Sequence, residues 1–328
     1  MLKDIAERLG VSTALVSYVV NGKAKEARVG DAMAERIRKT AIELNYLPNQ
    51  IAKSLRSGRT HTIGLVVADI SNPFFSALAR IIEDEAAKYG YIVVFGSSDE
   101  NAVKSAKLIE VFVNRQMDAL IIAPAAHTEY QLLNLKQKGI PFVLIDRCPK
   151  ELESDSVEID NEAAAIEAAN YLVDKGCNKI VMFAYDSPLL HMQARISGYK
   201  QAIEKAGLHS NLKTIRFEKL QEDLDTAIEE LLNEKPDGLF FATNTLATEG
   251  LKKIKKRELS FSPIIVSFDQ SDMFEMLDNP PVFVQQPLAE MGKKAVELAI
   301  AKIANHNKEN ERIVFNTILV KKLSPNIF

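Results

Sequence analysis

The amino-acid sequence predicts an all-α head followed by a two-lobed α/β body, and three observations carry that prediction. Only helical periodicity is present up to residue 46; after Thr60, apolar runs of strand length alternate with amphipathic helical stretches. The 268 residues beyond Thr60 exceed what one doubly wound sheet needs, so two similar lobes with a cleft between them are the economical arrangement. Charge divides at the same place. Residues 1–60 hold eleven Lys/Arg against six Asp/Glu, a net of +5, while residues 61–328 hold 30 against 38, a net of −8. The overall charge of −3 hides this split. A basic head on an acidic body fits a nucleic-acid-binding module joined to a domain with another task.

The head reads as three helices. In the first, at 2–9, Ile5, Ala6 and Leu9 face inward. Gly10 then supplies the left-handed backbone of a tight turn, and Ser12 is placed to cap the next helix by accepting a backbone N–H. Val16, Val19 and Val20 form the apolar face of that second helix, which Asn21-Gly22 ends. A third helix, 31–44, offers Ile37, Ala41 and Leu44 to close the core. A small residue where two helices touch, a glycine in the turn and a β-branched residue in the second helix are what a helix-turn-helix needs. Ala6, Gly10 and Val16 supply them. The second helix would then lie in a major groove. Ser12, Thr13, Ser17 and Asn21 would donate to phosphates or bases, Ala14 would meet a thymine methyl, and Tyr18 would point outward with them.

In the body, strand-like runs lie at 62–69 (TIGLVVAD), 91–96 (YIVVFG), 119–123 (ALIIA), 142–146 (FVLID), 179–184 (KIVMFA), 238–242 (GLFFA), 264–268 (IIVSF) and 282–285 (VFVQ). They lack polar alternation, as strands buried on both faces of a parallel sheet do. Helical stretches fill the gaps at 74–89, 102–115, 129–138, 162–175, 192–206, 223–234, 247–257 and 288–304. Several end at a glycine, such as Gly90, Gly139, Gly176 and Gly207. Repeated β-α units imply right-handed crossovers, with ligands at the carboxyl ends of the strands.

Other functional classes find no support. No apolar run approaches the ~20 residues of a membrane span. The opening Met1-Leu2-Lys3-Asp4-Ile5 does not read as a secretion signal, so a cytoplasmic protein without membrane partners is expected. Cys148 and Cys177 show no Cys-x-x-Cys spacing and read as structural thiols in a reducing compartment. There is no Gly-x-Gly-x-x-Gly, no P-loop, no Gly-x-Ser-x-Gly and no metal-spaced histidine cluster. No enzyme, cofactor or metal site is therefore expected.

After the third helix comes Asn45-Tyr46-Leu47-Pro48-Asn49-Gln50-Ile51-Ala52-Lys53-Ser54-Leu55-Arg56. Further on stand Asp69-Ile70-Ser71-Asn72-Pro73-Phe74-Phe75, Arg195-x-x-Gly198-Tyr199, Ser267-Phe268-Asp269 and Gln286-Pro287. Over nearly its whole length the chain resembles the LacI/GalR family of transcription regulators. The resemblance implies a helix-turn-helix domain at 1–46, a hinge at 47–60 and an effector-binding and dimerisation domain at 61–328. That last domain would have the periplasmic-binding-protein-like (type I) fold, with one lobe about 61–157 and 287–317 and the other about 158–286 and 318–328. It also implies a homodimer on operator DNA, with a hinge that folds when two subunits meet there. In that hinge Asn49 would cap the short helix, Leu55 would be the wedge entering the minor groove, and Lys53 and Arg56 would contact phosphates.

The same resemblance makes Arg195 and Asp269 effector contacts and Asn244 a further one, although Thr245 stands where the family often has aspartate. The effector it implies is a sugar or sugar phosphate, whose hydroxyls suit a carboxylate and a guanidinium fork. Phe74 and Phe75 follow the first body strand, where they can stack on the ligand or pack in the core. Asp146-Arg147 can line the cleft or hold the lobes together. His191, one turn before Arg195, is expected at the surface. Tyr18 departs from the arginine common at its position, so the operator sequence does not carry over. A transport protein with the same body would have a secretion signal and no helical head.

Overall fold

The computed structural model describes residues 2–46, 58–149, 152–257 and 261–321, in two units that divide after Thr60. In the first unit, α1 (Leu2–Leu9), α2 (Thr13–Val20) and α3 (Asp31–Glu43) close on Ile5, Ala6, Val16, Val19, Ala34, Ile37 and Ala41. Gly10 takes φ +67° between α1 and α2, and Ser12 Oγ accepts the Leu15 N–H at 3.2 Å. Leu44 is a correction: it is exposed rather than in the core. Helix α3 ends at Glu43, and Asn45 adopts φ +47°. That turn brings the Tyr46 N–H back to the Ala41 carbonyl at 2.8 Å and packs Tyr46 on the core instead.

The second unit holds two six-stranded sheets. The first contains β1 (Thr62–Val67), β2 (Ile92–Ser97), β3 (Ala119–Ile122), β4 (Phe142–Ile145), β5 (Asp155–Ile159) and β11 (Arg312–Phe315). They run parallel in the order β11-β5-β4-β3-β1-β2. The second contains β6 (Ile180–Tyr185), β7 (Asn211–Ile215), β8 (Gly238–Phe241), β9 (Ile264–Phe268), β10 (Val282–Gln285) and β12 (Ile318–Val320), in the order β12-β10-β9-β8-β6-β7. Only the β10–β12 pair among them is antiparallel. In sequence order the two sheets repeat one plan: the first strand lies beside the second and third, and the fourth and fifth follow outward.

The chain passes between the sheets three times, after β5, after β10 and between β11 and β12. The helix Leu288–Ala304 returns to the first sheet and packs on the helix Pro73–Lys88. The helix Asn161–Asp174 belongs to the second, where it packs on the helix Leu190–Lys205. Gly198 permits that last contact, because a Cβ there would stand 2.4 Å from the Glu162 carbonyl oxygen.

One strand departs from expectation. β2 is not buried on both faces: it is the edge of its sheet, with Ile92 70% and Phe95 57% exposed. Having β1 as its one neighbour, it keeps an apolar composition without the cover the inner strands receive.

Candidate effector cleft and nucleic-acid interface

The carboxyl ends of the strands in the two sheets bring together the polar residues of the cleft. Asp146 follows β4 and Asp269 follows β9, the fourth strands of their respective plans, and both adopt left-handed backbone, at φ +68° and +59°. Arg195 projects from the second turn of the helix Leu190–Lys205 and is 3% exposed. Its Nε donates to Asn161 Oδ1 at 2.8 Å, and its Nη1 donates to the Ala242 carbonyl at 2.7 Å. The guanidinium lies over the Phe268 ring, 3.8 Å from the centroid. Gln286, at the end of β10, donates from Nε2 to Asp269 Oδ1 at 3.0 Å and leaves its own buried Oε1 without a hydrogen-bond partner.

From the first lobe come Arg147 and the segment around Asn72. Arg147 donates to Glu100 at 2.6 Å and to Asp146 at 3.2 Å, and lies 5.4 Å from the Phe75 centroid. Phe75 packs edge-to-face on Phe74. Phe74, with Asn244, Asp269 and Gln286, lines a cleft of about 750 Å³. Asn72 Oδ1 caps the helix Pro73–Lys88 by accepting the Phe74 N–H at 3.0 Å. The same oxygen accepts Asn244 Nδ2 at 3.1 Å, and Asn72 Nδ2 donates to Thr245 Oγ1 at 3.3 Å. The two lobes are thus hydrogen-bonded across the cleft through Asn72.

Electrostatics there follow from burial in a low dielectric. Burial pushes the Asp269 carboxyl up to about 6, with the charge of Asp146 adding to the effect and Arg195 and Gln286 opposing it. Asp146 is raised by burial against the pull of Arg147 and Arg195. Burial lowers Arg195, which Asp269 and Asp146 partly restore. His191 is 7% exposed, a correction to its expected surface position. One turn ahead of Arg195, it is held well below the usual histidine range by burial and by the guanidinium charges of Arg147 and Arg195.

Asn72, Asn161, His191 and Gln286 therefore join Arg195, Asn244 and Asp269 in one polar cluster. The first two were legible as residues opening helices after strands, Gln286 as a strand end, and His191 by its i, i+4 spacing to Arg195.

On the head, Thr13, Ala14, Tyr18 and Asn21 are exposed on and just past α2, and Ser17 is half-buried. Tyr18 is the large apolar side chain of this group, at 46% exposure. Ser12 Oγ is occupied as the cap acceptor, so its O–H is what remains to donate. The Asn21 amide donates to the Ser17 carbonyl at 2.7 Å and to Ser17 Oγ at 3.2 Å. Asn49, Lys53, Leu55 and Arg56 lie outside the described residues. Both cysteines are buried free thiols. Among the described residues no helix is long and apolar enough to cross a membrane.

A basic three-helix head and a two-lobed body with a polar cleft define a regulator that joins a DNA-binding module to a ligand-binding one. Comparison with known proteins agrees. Residues 1–49 match the bacterial regulatory proteins of the lacI family, and residues 60–322 match the periplasmic binding proteins and sugar binding domain of the LacI family. The catabolite control protein A of Priestia megaterium is 31% identical over 318 residues, covering 95% of this chain and 94% of that one. The ribose operon repressor of Escherichia coli K12 is 25% identical, covering 98% of each. The structure of a LacI family transcriptional regulator from Enterococcus faecium with bound ribose superposes with a TM-score of 0.69, at 28% identity, covering 79% of this chain and 97% of that one. The chain belongs to the LacI family. It is a DNA-binding transcription regulator with a sugar-binding type of body, not a transport protein: the regulatory head is present, and its relatives are regulators rather than enzymes.

Proposed function

We propose that the protein is a cytoplasmic homodimeric repressor whose operator affinity is set by an uncharged monosaccharide of pentose size, held between the lobes. The observation that carries this reading is the charge balance of the cleft. Arg147 is matched by Glu100 and Asp146, and Arg195 lies among Asn161, the Ala242 carbonyl, Asp269 and Asp146. Neither guanidinium is left unbalanced, as a phosphate ester would require. Three carboxylates, two guanidiniums and four side-chain amides offer alternating acceptors and donors, which is what vicinal hydroxyls need, and the Phe74 ring suits an apolar sugar face. The ribose named for two relatives points to the same size class.

In this reading the head, 1–46, reads a half-site through Ser12, Thr13, Ala14, Ser17, Tyr18 and Asn21. The linker, 47–60, carries Asn49, Lys53, Leu55 and Arg56 to the backbone and minor groove. A sugar seated beside Asn72, Asn244, Arg195 and Asp269 favours one arrangement of the lobes, and the two sites couple by about 1–3 kcal/mol.

The test is an electrophoretic shift with promoter DNA from the neighbouring genes, titrated with D-ribose and other pentoses. The expected result is a specific shift that weakens steeply with salt and moves at least fivefold in affinity with one pentose. Indifference to every promoter fragment, or a shift that no sugar alters, refutes the proposal.

A further inference from the structure

Left-handed backbone at a residue with a side chain is uncommon. Among the described residues, the non-glycine residues that adopt it mostly end helices or follow strands, as Asn45, Gln116, Lys235, Asp146 and Asp269 do. His61, at φ +53°, instead directly precedes a strand, β1. Such a conformation persists where the surroundings hold it, and both neighbouring strands hold this one. The His61 N–H donates to Asp118 Oδ2 at 3.0 Å, just ahead of β3, and its carbonyl accepts the Ile92 N–H of β2 at 3.0 Å. Its ring centroid lies 5.3 Å from that of the buried Tyr91. An extended residue at this position would continue the line of β1, whereas a left-handed one breaks that line at a fixed angle.

We propose that His61 is a positioning residue that couples the sugar cleft to DNA binding, by fixing the direction in which the linker, 47–60, enters the first lobe. The inference rests on the monosaccharide reading and adds the route by which that site acts on the linker. β1 is six residues long, about 20 Å at the usual rise of a strand. Its residues Ile63, Leu65, Val66 and Val67 are fully buried, and it is hydrogen-bonded to β2 on one side and β3 on the other. A strand packed in this way moves only with its lobe. Five residues past its carboxyl end stands Asn72, bonded across the cleft to Asn244, and one residue before its amino end stands His61. A sugar that changes how the lobes sit on each other turns β1 with the first lobe, and a clamped His61 turns the linker by the same angle. A freely jointed residue there would absorb the rotation and pass nothing on.

The experiment measures operator affinity of the full-length protein by fluorescence anisotropy, with and without D-ribose, D-xylose or L-arabinose, for the wild type, His61→Gly and His61→Phe. Calorimetric titration of the same sugars in the absence of DNA accompanies it. The wild type is expected to change its operator affinity at least about fivefold with one of these pentoses. His61→Gly removes the ring and frees φ, and is expected to change by less than about twofold while binding that pentose within about twofold of the wild type. His61→Phe keeps a ring on Tyr91 and is expected to retain a change of at least about threefold. A His61→Gly protein that responds as the wild type does, or one whose sugar affinity falls in step with its response, overturns the inference and leaves the monosaccharide reading intact. If none of the three pentoses alters the operator affinity of the wild type, that reading falls and the inference with it.

Discussion

Replacing Gly198 by alanine separates two physical effects of opposite sign. In a solvent-exposed helix interior, glycine to alanine stabilises by about 0.5–1 kcal/mol, because the unfolded chain loses conformational freedom. At Gly198 the added Cβ falls 2.4 Å from the Glu162 carbonyl oxygen and 3.0 Å from the Ala165 Cβ. Both neighbours belong to the helix Asn161–Asp174, and the nearer is main chain, which no rotamer change relieves. Ordinary contact needs about 1 Å more, so the two helices must part by roughly that amount, at a cost of about 1–3 kcal/mol. The same movement carries Arg195 Nε away from Asn161 Oδ1, now at 2.8 Å, beyond hydrogen-bond reach. Gly198→Ala is therefore expected to lower the melting temperature by about 2–4 °C and to weaken pentose binding by about tenfold or more, the worth of a charged hydrogen bond. Differential scanning fluorimetry with and without sugar measures both. A melting temperature at or above the wild-type value, with unchanged ligand-induced stabilisation, would refute the argument.

Two further outcomes follow from the cleft and the head. Because Asp269 titrates near 6 in the folded protein, above its ordinary value of 3.8, it favours folding by about 3 kcal/mol at pH below 4, and this contribution is lost as pH rises through 6. Its ionised form is the better acceptor of sugar hydroxyls, so pentose affinity measured by calorimetry between pH 5 and 7.5 is expected to fall on the acid side of about 6; a flat profile counts against Asp269 as a ligand contact. Tyr18→Ala, on an exposed position of α2, is expected to cost about 1–3 kcal/mol in specific operator binding while leaving salt-dependent non-specific binding almost unchanged. Equal losses on operator and random DNA would place Tyr18 on the backbone rather than on a base.

The inner strands were legible because apolar runs without alternation mean burial on both faces, and β1, β3, β4, β6, β8, β9 and β10 all carry such runs. Four strands escaped, for related reasons. β7, β11 and β12 are edge strands, short or with polar alternation. β5 is internal yet reads Asp-Ser-Val-Glu-Ile, and its charges are offset by residues about 150 positions later. Asp155 accepts the Glu311 N–H at 2.8 Å and faces Lys302 at 3.5 Å, and Glu158 pairs with Arg312 at 2.6 Å. Local pattern cannot report a partner that distant. The cleft shows the same limit. Arg195, Asn244 and Asp269 were nameable from motifs, but the burial of His191 and the bridge from Asn72 to Asn244 depend on which helix faces which strand end, and that is a property of the packed lobes.

The alternation of the chain between its two sheets has a consequence for the order of manufacture. Residues 161–285 form most of the second sheet, yet its edge strand β12 arrives only at residue 318, and the first sheet waits until residue 312 for β11. On a ribosome, where N-terminal domains fold first, the groove-reading helices are complete while most of the sensor is still untranslated. The sensor cannot finish until β11 and β12 have been made. Newly made protein thus passes through a stage with a finished reader and no working sensor, and a deletion of the final strands would disable both sheets at once.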